Sequence, residues 1–215
     1  YNKDKKKWER KKTVKTNSAT ITGLSSATSY DVKIRAYNSK DPKTVYGEFS
    51  SVAVMATKPE KIKSVEVTAY TSSTASIKWN KVPRVTGYYI YIGKTENSKA
   101  SIKYEKKYFT KNTSYKIEGL DSCRYYSFRI LPQYKGADSK NYYGESGRSA
   151  LVFTPIAKVS SFKITETTNK TATVTWKAQS GVTGYYLYSR KKGISSATLV
   201  ATVPASAITS PVLGL

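Results

Sequence analysis

Apolar and polar residues alternate along much of this chain, as in Ala75, Ile77, Trp79 and again in Ala172, Val174, Trp176. That is the period of a strand with one buried face. Tyr88, Ile90 and Ile92 continue it, and so do Tyr30, Val32, Ile34 and Ala36, with charged residues between them. The segments are short, rich in Val, Ile, Thr and Tyr, and punctuated by proline and glycine. No window carries a 3.6-residue period, so the pattern predicts an all-β chain with almost no helix.

The two tryptophan strands are copies of one another. Trp79 leads to Gly87-Tyr88-Tyr89-Ile90-Tyr91, Trp176 leads to Gly184-Tyr185-Tyr186-Leu187-Tyr188, and the offset is 97 residues in both places. Such self-similarity marks an internal repeat. Leu24 and Tyr30 recur as Leu120 and Tyr126, Tyr46-Gly47-Glu48 recurs as Tyr143-Gly144-Glu145, and Thr57 and Thr154 each close a unit shortly before a proline. The repeat divides the chain into residues 1–58, the C-terminal part of one unit, residues 59–156, a complete unit, and residues 157–215, the N-terminal part of a third. A unit of this size with about seven short strands is expected to be a two-sheet sandwich. Its core is expected to hold Trp79, Tyr88, Ile90, Leu120, Tyr126 and Phe128, with the large indole beside an inward tyrosine.

These residues resemble the fibronectin type III family over essentially the whole chain. Trp79 looks like the family's second-strand tryptophan, Tyr88 and Ile90 like its third-strand core pair, Leu120 and Tyr126 like its tyrosine-corner pair, and Gly144-Glu145-Ser146 like the approach to its last strand. Trp176, Tyr185 and Leu215, and then Leu24 and Tyr30, match in the partial units. The resemblance implies an all-β tandem of seven-stranded, immunoglobulin-like (fibronectin type III) β-sandwiches, one complete and two partial. The Gly-Tyr-Tyr-Ile-Tyr wording is similar to repeats of secreted and cell-surface proteins of Gram-positive bacteria. It therefore implies an extracellular or cell-surface setting and a non-catalytic spacer or adhesion module of a larger protein. Accessory linker domains of a secreted glycoside hydrolase or cell-wall hydrolase are the alternative, and a host-directed adhesin is a third reading.

The units are joined through Thr57-Lys58-Pro59 and Thr154-Pro155-Ile156. Proline removes a donor and much torsional freedom, so an extended, semi-stiff row with neighbouring domains as partners is expected. The end units are nearly complementary halves, and intermolecular pairing of these partial domains is a secondary expectation. No leader segment is expected at Tyr1, and no apolar run approaches the roughly 18 residues of a membrane span, so the chain reads as an interior excerpt.

Composition narrows the chemistry. Histidine is absent, which removes the usual base of a serine or cysteine triad and the commonest zinc ligand. The acids, such as Glu66, Glu105, Glu118 and Glu145, are scattered singly, Asp41 and Asp138 stand alone in their loops, and no glycine-rich phosphate loop occurs. No catalytic, cofactor-binding or metal site is expected. Cys123 has no cysteine to pair with and reads as a partly covered thiol without a role, although Arg124 stands beside it.

Charge adds a partner class. Thirty-seven basic residues stand against 14 acids, a net charge of +23. By unit the counts are 13 against 5, 17 against 8 and 7 against 1, giving +8, +9 and +6. An excess so evenly spread attracts anionic polysaccharide or another polyanion without choosing among them. Two surface features would meet such a polymer. If Tyr88 and Ile90 face in, Tyr89 and Tyr91 face out, as do Tyr186 and Tyr188, with Arg129, Lys33 and Arg35 on neighbouring strands. Aromatic rings beside guanidinium groups can stack sugars or bases, although tyrosine also favours any solvent-facing strand. The second feature is a basic run after each tyrosine strand: Lys3 to Lys15, then Lys94, Lys99, Lys103, Lys106, Lys107 and Lys111, then Arg190 to Lys192. It falls where an edge strand is expected, a place where lysines also guard against strand addition.

Overall fold

The computed structural model describes residues 7–39 and 43–213, and among them every regular element is a strand. Tyr1, the Lys3 end of the first basic run, Asp41 and Leu215 lie outside the described residues.

The first unit forms β1 (Ser29–Val32), β2 (Arg35–Asn38), β3 (Val45–Phe49) and β4 (Ala53–Ala56). β1 pairs with β4 and β2 with β3, both antiparallel, so the alternating block around Tyr30 folds back as an interrupted hairpin. Here two expectations fail. Ile34, on the side expected to face in, is 67% exposed, because no second sheet packs on it among the described residues. From Lys7 to Lys15, the described part of the basic run takes no edge strand beyond an isolated bridge at Lys7. Residues 1–58 hold no Gly-Tyr-Tyr strand for it to pair with, and a strand needs a partner for its N–H and C=O groups.

The middle unit is a two-sheet sandwich. β5 (Val65–Tyr70), β6 (Thr74–Trp79), β7 (Gly87–Thr95), β8 (Tyr104–Thr110), β9 (Ser114–Glu118) and β10 (Tyr125–Lys135) are followed by three short pieces, β11 (Asn141–Tyr143), β12 (Gly147–Arg148) and β13 (Val152–Phe153). One sheet has the order β5-β6-β9, and the other β11-β10-β7-β8 with β12 and β13 also pairing β10. The seventh strand is thus broken into three. β8 is an edge strand, with β7 as its neighbour.

Alternation fills the space between the sheets. Ala75, Ile77 and Trp79 of β6 are buried, as are Tyr88 and Ile90 of β7, Ile117 of β9, Leu120, and Tyr126, Phe128 and Ile130 of β10, all in one cluster. Trp79 and Tyr88 meet edge to face, with centroids 5.5 Å apart at 70°. Tyr88 buries its ring while its hydroxyl accepts the backbone N–H of Val82 at 2.9 Å, which fixes the turn between β6 and β7. Gly87 admits the edge strand: a Cβ there would come within 2.7 Å of the Thr110 carbonyl oxygen and collide with the Phe109 ring.

A second device crosses between the sheets at the corner before β10. The Tyr126 hydroxyl accepts the N–H of Asp121 at 2.9 Å, and Tyr30 does the same for Ser25 at 2.8 Å. The first and middle units each close onto their corner with a threonine. Thr154 Oγ1 donates to Asp121 O at 2.7 Å and accepts Arg124 N–H at 3.1 Å. Thr57 Oγ1 donates to Ser25 O at 2.6 Å and accepts Thr28 N–H at 3.1 Å. Ala27 and Cys123, equivalent residues inside these corners, both take left-handed φ values of 44° and 54°.

The third unit repeats the first half of the middle one with β14 (Lys163–Thr167), β15 (Thr171–Thr175), β16 (Gly184–Ser189), β17 (Thr198–Pro204) and β18 (Thr209–Leu213). The sheets are β14-β15-β18 and β16-β17. Trp176 meets Tyr185 at 5.2 Å and 63°, and the Tyr185 hydroxyl accepts the N–H of Gln179 at 2.8 Å, the same arrangement 97 residues on.

Candidate polymer-binding face

Strand register decides which side chains share the outer face of the middle unit. Tyr89 lies opposite Phe109 on β8 and Leu131 on β10, while Tyr91 lies opposite Lys106 and Arg129. Tyr89, Tyr91, Lys106 and Arg129 are therefore brought together.

Their geometry is that of an occupied aromatic surface. Lys106 Nζ sits 3.3 Å from the Tyr89 ring centroid, Phe109 packs on the same ring at 4.9 Å, and Tyr143 lies at 6.4 Å. Arg129 stacks on Tyr104 at 4.8 Å. A cation over a ring face is held by the ring quadrupole, so a sugar or base would reach that face of Tyr89 by displacing Lys106. The face thus presents positioned cations more than open platforms.

Lys107 is engaged elsewhere, with its Nζ 2.7 Å from Glu105 Oε2. That hydrogen bond, and then the charge of Lys107, hold the Glu105 carboxyl below its ordinary 4.5, with a smaller contribution from exposed Lys103. Tyr186 and Tyr188 lie on β16 in a separate sheet, 68% and 62% exposed. Among the described residues β16 pairs with β17 and no arginine-bearing strand flanks its other side.

The structure adds partners that alternation along single strands does not reveal. In the first unit Lys33 lies over Trp8 at 4.2 Å and over Phe49 at 3.8 Å, and Arg35 over Tyr46 at 3.9 Å and over Phe49 at 4.7 Å. The result is an alternating series of rings and cations. Trp8 and Lys33 correspond to Tyr104 and Arg129, each 96 residues on. The ring-and-cation pair is thus a recurrent feature, and its sequence signal is that shared offset.

Among the described residues, no three metal-ligating side chains gather in one place. No helix is long and apolar enough to cross a membrane. Cys123 is a buried free thiol at the corner of the middle unit.

No family model matches the chain. Among solved structures, it is similar to a segment of two fibronectin type III domains from chicken tenascin, at 18% identity and a TM-score of 0.51, over 72% of this chain and 83% of that one. The third fibronectin type III domain of human KIAA0343 protein gives 22% identity and a TM-score of 0.38 over 48% of this chain and 89% of that one. The FN5 domain of Drosophila Lar gives 20% and 0.35 over 46% and 99%. The tenascin segment shows the fold: β-units of fibronectin type III-like fold follow one another along the chain.

Proposed function

We propose that this tandem of fibronectin type III folds, divided at residues 58/59 and 156/157, is a non-catalytic extracellular spacer and adhesion module of a larger surface or secreted protein, and that it contacts anionic polymer. The observation that carries the second part is the recurrence of a cation held on a ring, Lys33 on Trp8 and Arg129 on Tyr104. A guanidinium or ammonium group already positioned by an aromatic loses less freedom on meeting an anion.

The polymer's anionic groups are met by Lys106 and Arg129, with exposed Lys103 at the edge. Tyr186 and Tyr188 offer ring faces that are mostly open. Successive units engage one extended chain, so affinity comes from multivalency and counterion release and not from a shaped pocket.

Titration with a poly(glycerol phosphate) teichoic acid, a heparin-like glycan and single-stranded nucleic acid, at low and near-physiological salt, tests this reading. Binding that weakens steeply with salt is expected. Absence of binding to all three at low salt leaves the spacer alone.

A further inference from the structure

Two turns 97 residues apart meet two corners 96 residues apart, and an arginine stands at each meeting: at the first it bonds across from the following unit, and at the second it belongs to the corner and the neighbour's glycine packs against it. The turn between β6 and β7 carries Arg84, at φ 60°, and the turn between β15 and β16 carries Gly181, at φ 78°. The corners are residues 25–28 of the first unit and 121–124 of the middle unit, equivalent by their tyrosine hydrogen bonds.

At the first junction the arginine reaches back from the following unit. Arg84 Nε donates to Ser26 O at 3.0 Å, and the same carbonyl takes a bond from Thr28 Oγ1 at 2.8 Å. Ser26 Oγ donates to Glu60 Oε1 at 3.1 Å. A separate contact fixes the orientation: Ser29 Oγ accepts Ala137 N–H at 2.8 Å and lies 3.0 Å from the Tyr134 hydroxyl.

At the second junction the arginine belongs to the corner. Arg124, at the place of Thr28, donates from Nη1 to Cys123 O at 2.9 Å and pairs through Nη2 with Glu96 Oε1 at 2.9 Å. Its side chain is 19% exposed. Gly181 lies against it: a Cβ there would stand 2.6 Å from Arg124 Nη1 and 2.7 Å from Cys123 Cβ. An arginine at both places would bring two like charges into one volume, and an arginine at neither would leave the corner, at Ser26 O in one unit and Cys123 O in the next, without a guanidinium donor.

We infer that the junction is a complementary interface, in which a corner with Arg at the Thr28/Arg124 position accepts a neighbour with Gly at the Arg84/Gly181 position, and a corner with Thr accepts Arg. The partner this surface fits is thus another repeat carrying the matching residue. The pairing sets both the order of neighbours and their mutual orientation. It is independent of polymer binding.

The full chain carries its own reporter, because Cys123 is buried where Gly181 rests. Its reaction rate with a neutral maleimide is expected to rise about tenfold in Gly181→Arg, the scale of losing a hydrogen bond to a charged group. Solution scattering is expected to show a broader range of angles between the units. Arg124→Thr combined with Gly181→Arg should return the rate to within about twofold of the parent, since the pair restores the first junction's combination. Arg84 shows that this turn accepts an arginine at positive φ. Loss of the third unit's fold in Gly181→Arg but not in the double variant would equally support a collision. An unchanged rate and scattering profile in the single variant, or a double variant as open or as unfolded as the single, overturns the pairing.

Discussion

The hydroxyl of Tyr88 accepts the N–H of Val82 at 2.9 Å, in the same core where the indole nitrogen of Trp79 is buried with no hydrogen-bond partner among the described residues. The third unit has the same asymmetry in Tyr185 and Trp176. The tryptophan therefore serves through its volume and ring edge, and the tyrosine through its hydroxyl.

Substitutions should separate these roles. Tyr88→Phe is expected to cost about 1 to 3 kcal/mol, because it leaves a buried backbone donor unmet. Trp79→Ala should cost about 3 to 5 kcal/mol. Trp79→Phe should cost less than half of the alanine value, since it removes no hydrogen bond. Urea denaturation followed by circular dichroism measures all three.

Thr154 is fully buried and uses its hydroxyl both as donor and as acceptor. Thr154→Val keeps the shape and strands a carbonyl and an N–H, so a loss of about 2 to 4 kcal/mol is expected. Thr154→Ser should recover most of it. The denaturation midpoints of the two variants decide the matter.

Alkaline pH should loosen the corner. Burial raises the Tyr126 hydroxyl above its ordinary 10.0, and the hydrogen bond to Asp121 raises Lys94 above 10.5. For raised groups the stabilising contribution is complete below the unfolded value and is lost as pH rises through the folded one. The denaturation midpoint is therefore expected to stay level with respect to these groups up to about pH 9 and to fall above about pH 10. Tyr126→Phe should remove the tyrosine part of that fall.

For polymer binding, Lys103→Gln, Lys106→Gln and Lys107→Gln together should flatten the salt dependence. The slope of log K against log salt should drop by about 0.7 to 0.9 for each phosphate that the variant no longer neutralises. Lys107 should contribute least, because Glu105 already holds it. Tyr186→Ala with Tyr188→Ala should lower affinity with little change in slope, since stacking releases few ions. Titrations at several salt concentrations separate the two effects.

The sandwich was legible because its signals are local. The alternation of Ala75, Ile77 and Trp79 shows within six residues of one strand, and the shared offset of Trp79 and Trp176 shows by counting. The outer face was legible only in part, because its partners depend on register between strands. A bulge where β8 passes Ile90 and Tyr91 changes the alternation, so Phe109 and Lys106 fall on one face although they are three residues apart. Strict counting back from Phe109 selects Lys107 and misses Tyr104. The break of the last strand into three pieces was likewise hidden, since no single residue type marks it.

The threonine closures have a mechanical side. β13, the last strand piece before the linker, pairs with β10 at Tyr125 and Tyr126 alone. Tension applied along a row of such units enters the middle one close to that short pairing, which would peel bond by bond. Thr154 ties the same point to both sides of the corner turn, and Thr57 does so one unit earlier. Pulling must therefore shear several hydrogen bonds at once before the last strand can unzip, and the unit yields at its corner and not at its frayed edge.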